Sequence, residues 1–140
     1  MAKTIHAYRI ADRRSALFDG AGAARRGGRW NSPGRWVIYA AESYAAAMLE
    51  VLVHTAIAKV PRHHVWIRIE IPAEVSREEL APEQVPGWDA ADWRASRAYG
   101  DAWYESARSA LLLVPSVVAR EERMVVINQR HPEFSRLTTS

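Results

Sequence analysis

Arg29, Tyr39 and Glu50 fall within twenty-two positions of one another, and each is set in sequence that otherwise reads as turn or core. Arg29 lies in the turn-rich run Gly27-Gly28-Arg29-Trp30-Asn31-Ser32-Pro33-Gly34, and Tyr39 closes the apolar run Trp36-Val37-Ile38-Tyr39. Glu50 interrupts Ala45-Ala46-Ala47-Met48-Leu49-Glu50-Val51-Leu52-Val53. A carboxylate in such a run is exposed, paired or functional, because burying it unpaired costs several kcal/mol or neutralises it. Together the three could hold a ligand that is anionic at one point and an aromatic cation at another.

Each residue also has a plainer reading. Glu50 and His54 are four apart and share a helix face, which suits a surface ion pair as well as a site. Tyr39 at a strand end is by default a core aromatic whose hydroxyl finds a partner. Other chemistries are poorly supported. The Gly27-Gly28 run lacks the phosphate-loop spacing, and no dinucleotide fingerprint follows a strand. Ser109 has no G-x-S-x-G elbow around it, and the five histidines lack zinc-ligand spacing.

The sequence is 140 residues with 49% hydrophobic and 25% charged side chains, enough for one domain over 1–140 with a real core. With no cysteine there is neither disulfide nor thiolate metal site, which suits a cytoplasmic protein. No apolar run reaches the roughly 20 residues of a membrane span, and the N-terminus has no signal-peptide character. The net charge of +3 is unevenly placed. Residues 1–36 carry eight basic and two acidic side chains, whereas 70–105 carry three basic and nine acidic. Nearly all the cations are arginine, the residue suited to bidentate phosphate recognition.

The elements that must position these residues read as an α+β domain with one twisted central sheet and flanking helices. Strands are expected at His6–Ile10, Arg35–Ala40, His64–Ile71, Ala110–Val118 with a break at Pro115, and Met124–Asn128. The cleanest is His64–Ile71, where Val65, Ile67, Ile69 and Ile71 alternate with Trp66, Arg68 and Glu70. Helices are expected at Tyr44–Lys59, capped by Glu42-Ser43, and at Ala90–Arg108, weakened by Gly100. Residues 12–34 read as a long loop, and 72–88 as an acidic surface connection. The aromatics Trp88, Trp93, Trp103 and Tyr104 fit either an exposed interface or a buried helix face.

The segments Gly28-Arg29-Trp30-Asn31-Ser32-Pro33-Gly34-Arg35, Val37-Ile38-Tyr39-Ala40-Ala41-Glu42-Ser43 and Ala47-Met48-Leu49-Glu50-Val51-Leu52-Val53-His54 resemble the RES-domain family. These are toxins of bacterial RES–Xre toxin–antitoxin pairs. Tyr8-Arg9-Ile10, Ser109-Ala110-Leu111-Leu112-Leu113-Val114-Pro115-Ser116 and Ile127-Asn128-Gln129-Arg130-His131-Pro132 extend the likeness over residues 8–135. The family is named for an Arg, a Glu and a Ser, which fall here at Arg29, Glu50 and Ser109. Gln129 stands where the family usually has proline, a departure expected to alter only a turn.

The resemblance implies an ADP-ribosyltransferase-like fold that consumes NAD+ without a metal. The acceptor is water, phosphate or a protein, and the partner is an Xre-type helix-turn-helix antitoxin, with a dimer possible inside the complex. Glu50 would stabilise the oxocarbenium-like centre as the nicotinamide–ribose bond breaks. Arg29, with Arg9 as second candidate, would clamp the pyrophosphate. Tyr39 would stack on the nicotinamide ring, and Ser109 would bond its amide or a ribose. The competing reading, a non-enzymatic basic module for nucleic acid or protein, accounts for the arginines but leaves Glu50 without a role.

Overall fold

The computed structural model describes residues 3–14, 16–54 and 63–140. In chain order the elements are β1 (Ile5–Asp12), α1 (Ala21–Arg26), β2 (Val37–Ala41), α2 (Tyr44–His54), β3 (His64–Ile71) and β4 (Arg77–Glu79). They continue as α3 (Arg94–Ser106), β5 (Leu111–Pro115), β6 (Arg123–Asn128) and β7 (Thr138–Thr139). The seven strands form one sheet of order β4-β5-β6-β2-β1-β3-β7. Only the β4–β5 pair is parallel among these neighbours.

The apolar pattern explains the layout. Leu111–Val114 and Val125–Ile127 are buried on both sides of their strands, as continuous hydrophobic runs require. The sheet edges are short and polar, Arg77-Glu78-Glu79 at one side and Thr138-Thr139 at the other, which discourages further pairing. On one face Ile38, Ile69, Leu111, Leu113, Val125 and Ile127 pack with Phe18 and Phe134, whose rings stack at 5.0 Å. On the other, Trp103 of α3 and Trp30 of the loop before β2 cover Val37, Leu112, Val114 and Val126, and α2 covers Ile10 and Ala41 through Ala46 and Ala47. The two helices thus share a face.

β3 has the expected bounds and alternation, with Ile69 and Ile71 buried and Trp66, Arg68 and Glu70 exposed. Trp103 is fully buried and Trp88 nearly so, which decides for the buried aromatic face. The expected loop 12–34 contains α1, a six-residue helix too short to show periodicity. The acidic connection 72–88 contributes β4 and a single 3₁₀ turn at Pro82–Gln84. α2 runs to His54, and the rest of its expected span, 55–59, lies outside the described residues. α3 begins at Arg94 because Trp93 takes a left-handed conformation, φ 60°. Gln129 does more than alter a turn: its Oε1 accepts the Gly20 N–H at 2.6 Å and ties the start of α1 to the end of β6.

Candidate active site

A break in the sheet opens the cleft. Among the described residues β1 and β2 are registered through one pair, Tyr8 with Ala41, while β2 follows β6 along its whole length. Beyond that pair the facing backbone groups need other partners. Arg9 supplies one, its Nη1 donating to the Tyr39 carbonyl at 2.9 Å. Burial pushes the Arg9 pKa below the ordinary guanidinium value, and Asp19 opposes the shift. Its Nε is buried with no hydrogen-bond partner. The resulting cleft holds about 890 Å³ and brings Arg9, Arg29, Tyr39 and Glu50 together, with Trp93 also in its lining. That volume lies in the range of roughly 300–1,000 Å³ common for small-molecule sites.

Tyr39 fastens the loop that carries Arg29. Its hydroxyl accepts the Trp30 N–H at 2.9 Å and donates to Asn31 Oδ1 at 2.6 Å. Asn31 is fully buried, and its Nδ2 donates to the Ala23 and Ser32 carbonyls at 2.9 and 3.1 Å. Gly28 sits directly on the tyrosine: a Cβ there would come within 2.7 Å of the hydroxyl and 2.8 Å of the ring. Burial pushes the phenol pKa well above its ordinary value, so Tyr39 is a neutral donor and a wall, not a base. Tyr39→Phe leaves the Trp30 N–H and Asn31 Oδ1 without this partner, a loss of about 1–3 kcal/mol. Urea denaturation is the check, and an unchanged midpoint would show that the two bonds do not hold the loop.

The Arg29 guanidinium is held from the opposite side. Nη1 donates to the Trp88 and Ala90 carbonyls, both at 3.1 Å, and the group lies 5.6 Å from the Trp93 ring centroid. These bonds occupy one nitrogen of a fork with five N–H donors. Desolvation lowers the Arg29 pKa, and the first charge that opposes the shift is Glu50. The two residues therefore share one electrostatic environment.

Glu50 stands on the side of α2 that carries the buried Ala46 and Ala47, and it is half-buried. α2 starts cleanly because the Ser43 hydroxyl accepts the Ala46 N–H at 3.0 Å, as the expected cap requires. Ser116 donates to Glu50 Oε1 at 3.2 Å and accepts the Ala119 N–H at 2.9 Å. Ser116 is only 2% exposed, so its hydroxyl is a fixed support for the carboxylate.

The structure does not bring Ser109 to this cleft. Its hydroxyl donates to the Leu111 carbonyl and accepts from Trp103 Nε1, both at 2.8 Å, inside the core. Ser109 and Ser116 flank β5, and at about 3.3 Å per residue an extended chain sets them about 23 Å apart. Only one end of that strand meets α2. Ser116 was hidden in sequence because nothing local distinguishes a serine after the strand-ending Pro115 from one before Ala110. The apolar run alone does not say which end faces the site.

Comparison with known proteins adds a family to this geometry. Residues 6–140 match the family model described as the RES domain. A Prs ADP-ribosylating toxin of Sphingobium sp. (strain YBL2) is 46% identical over 118 residues, covering 81% of this chain and 73% of the relative. A Toxin Res of Pseudomonas putida is 40% identical over 120 residues, covering 84% of this chain and 81% of the relative. Among solved structures, the crystal structure of the M. tuberculosis MbcT-MbcA toxin-antitoxin complex contains a chain of similar fold. Its TM-score is 0.81 at 22% identity, over 100% of this chain and 83% of that one.

Proposed function

This chain belongs to the RES domain family, and from that premise we propose that it is the toxin of a toxin–antitoxin pair that consumes NAD+ by cleaving the nicotinamide–ribose bond. The observation that carries the reading is a carboxylate, Glu50, held by the buried Ser116 in the same cleft as Arg29. The electron pair of the breaking C–N bond leaves with nicotinamide, which departs neutral because its ring nitrogen was cationic. No acid is needed for that step. Positive charge grows on the ribose, and the Glu50 carboxylate stabilises it. Arg29 binds the pyrophosphate, with Arg9 beside it in the split of the sheet, and the Tyr39 ring walls the nicotinamide.

The ribosyl centre then takes an acceptor. The name of the Sphingobium relative favours ADP-ribose transfer, while water and phosphate give degradation of free NAD+. The partner is an antitoxin, in line with the toxin-antitoxin complex of similar fold; its Xre type follows from the family resemblance. The reaction is placed in the cytoplasm, where NAD+ is available; no helix among the described residues is long and apolar enough to cross a membrane.

Purified protein incubated with NAD+ is expected to release nicotinamide, and product analysis with phosphate or a candidate acceptor protein added identifies the acceptor. No nicotinamide release under any of these conditions would overturn the reading and return the basic-module alternative. Arg29→Lys is expected to raise KM for NAD+ about tenfold with a smaller effect on kcat, since lysine keeps the charge and loses the fork. Equal KM in the two proteins would move the pyrophosphate clamp away from Arg29.

A further inference from the structure

α3 turns a polar and small face inward. Besides Trp103, its buried residues are Ser96 and Gly100, and what they meet is the backbone of the Arg29 loop. Arg97 Nε donates to the Gly28 carbonyl at 2.8 Å, and the Ser96 hydroxyl donates to the Arg29 carbonyl at 2.6 Å. The Trp30 carbonyl lies so close to Gly100 that a Cβ there would stand 1.8 Å from its oxygen. Asp101 accepts twice from Ser32, from the N–H at 2.8 Å and from the hydroxyl at 2.6 Å. The loop from 28 to 32 is therefore fastened along one helix face.

The other end of Arg29 refers to the same helix. The carbonyls of Trp88 and Ala90, which hold its Nη1, belong to the segment leading into α3. Trp93, the residue before the helix, lies 5.6 Å from Arg29 and 5.0 Å from Arg97. The backbone of Arg29 is thus set by α3, and its guanidinium by the segment that leads into α3.

We propose that Asp101 and Arg97 are positioning residues: through the Gly28–Ser32 backbone they fix where Arg29 presents its guanidinium, and so they set the affinity for the dinucleotide. This rests on the NAD+ reading above. Neither residue acts on the reacting bond. Their loss weakens ground-state and transition-state binding alike, which appears in KM and leaves kcat in place. A purely structural role would instead lower the melting temperature and the active fraction, reducing apparent kcat at constant KM.

The test compares wild type with Asp101→Ala, Asp101→Asn and Arg97→Lys. Nicotinamide release is measured over a series of NAD+ concentrations, with amide hydrogen exchange at Trp30 and Ser32 alongside. Asp101→Ala is expected to raise KM about tenfold with kcat within about threefold, the size of one lost charged hydrogen-bond pair. Asp101→Asn keeps an acceptor for the Ser32 N–H and recovers part of the loss. The Ser32 amide exchanges faster in Asp101→Ala, while the amides of Val125 and Ile127 remain protected. Unchanged KM with falling kcat overturns the proposal; if Asp101→Ala does not fold, Arg97→Lys is held to the same KM and kcat criterion. Wild-type protein that releases no nicotinamide with water, phosphate or a candidate acceptor protein present overturns the NAD+ reading instead. The clamp is then judged by exchange alone, and an unchanged Ser32 amide refutes it.

Discussion

Glu50→Gln is expected to slow nicotinamide release by about 10²–10³-fold in kcat, the effect of removing one preorganised charge from a transition state, worth about 2.7–4 kcal/mol. The substitution keeps the size of the side chain and leaves Oε1 to accept from Ser116. The fold should therefore persist, with a melting temperature close to wild type. KM should change little, because the charge it removes acts on the developing cation and not on the bound dinucleotide. In cells the variant should lose its toxicity without losing its abundance. A Glu50→Gln protein as fast and as toxic as wild type would reduce Glu50 to a helix-surface carboxylate.

The second large effect belongs to Gly100→Ala, where two arguments give opposite signs. Helix propensity alone says that alanine in the middle of α3 gains about 1 kcal/mol over glycine. The tertiary contact says otherwise: the new Cβ would meet the Trp30 oxygen at 1.8 Å and its carbonyl carbon at 2.7 Å. Backbone atoms cannot swing aside as a side-chain tip can, so helix and loop must separate. Overpacking of this kind costs about 1–3 kcal/mol or more, which outweighs the propensity gain. Thermal unfolding should show a lower melting temperature, and KM for NAD+ should rise because the displaced backbone is the one next to Arg29. A more stable protein would show that α3 does not approach the loop this closely.

Glu50 is visible in sequence because a carboxylate amid Leu49, Val51, Leu52 and Val53 conflicts with its surroundings, and such conflicts concentrate at functional sites. The structure shows Leu49 and Val53 exposed, at 38% and 51%, so the conflict lies with the inner side of α2 and not with the whole helix. Gly100 in sequence reads only as a weak helix position. Its purpose depends on Trp30, seventy residues away, and no local pattern carries that information.

The sequence by itself determined the five longer strands, because alternation and apolar runs are local consequences of which side chains must leave water, whereas the short polar β4 and β7 carry neither signal. β3 shows this in its bounds, and Ser43 shows it for a cap. The sequence also determined the family, through segments whose order is preserved, and with it Arg29, Tyr39 and Glu50 as residues to bring together. Only the tertiary structure decided which serine supports the carboxylate, since Ser109 and Ser116 flank one strand and only its far end meets α2. The split between β1 and β2 that opens the cleft belongs to the same class, as does the α3 face that holds the Arg29 loop. Each depends on contacts between segments far apart in the chain, where a side chain's partner is set by the packing of whole elements and not by its neighbours in sequence.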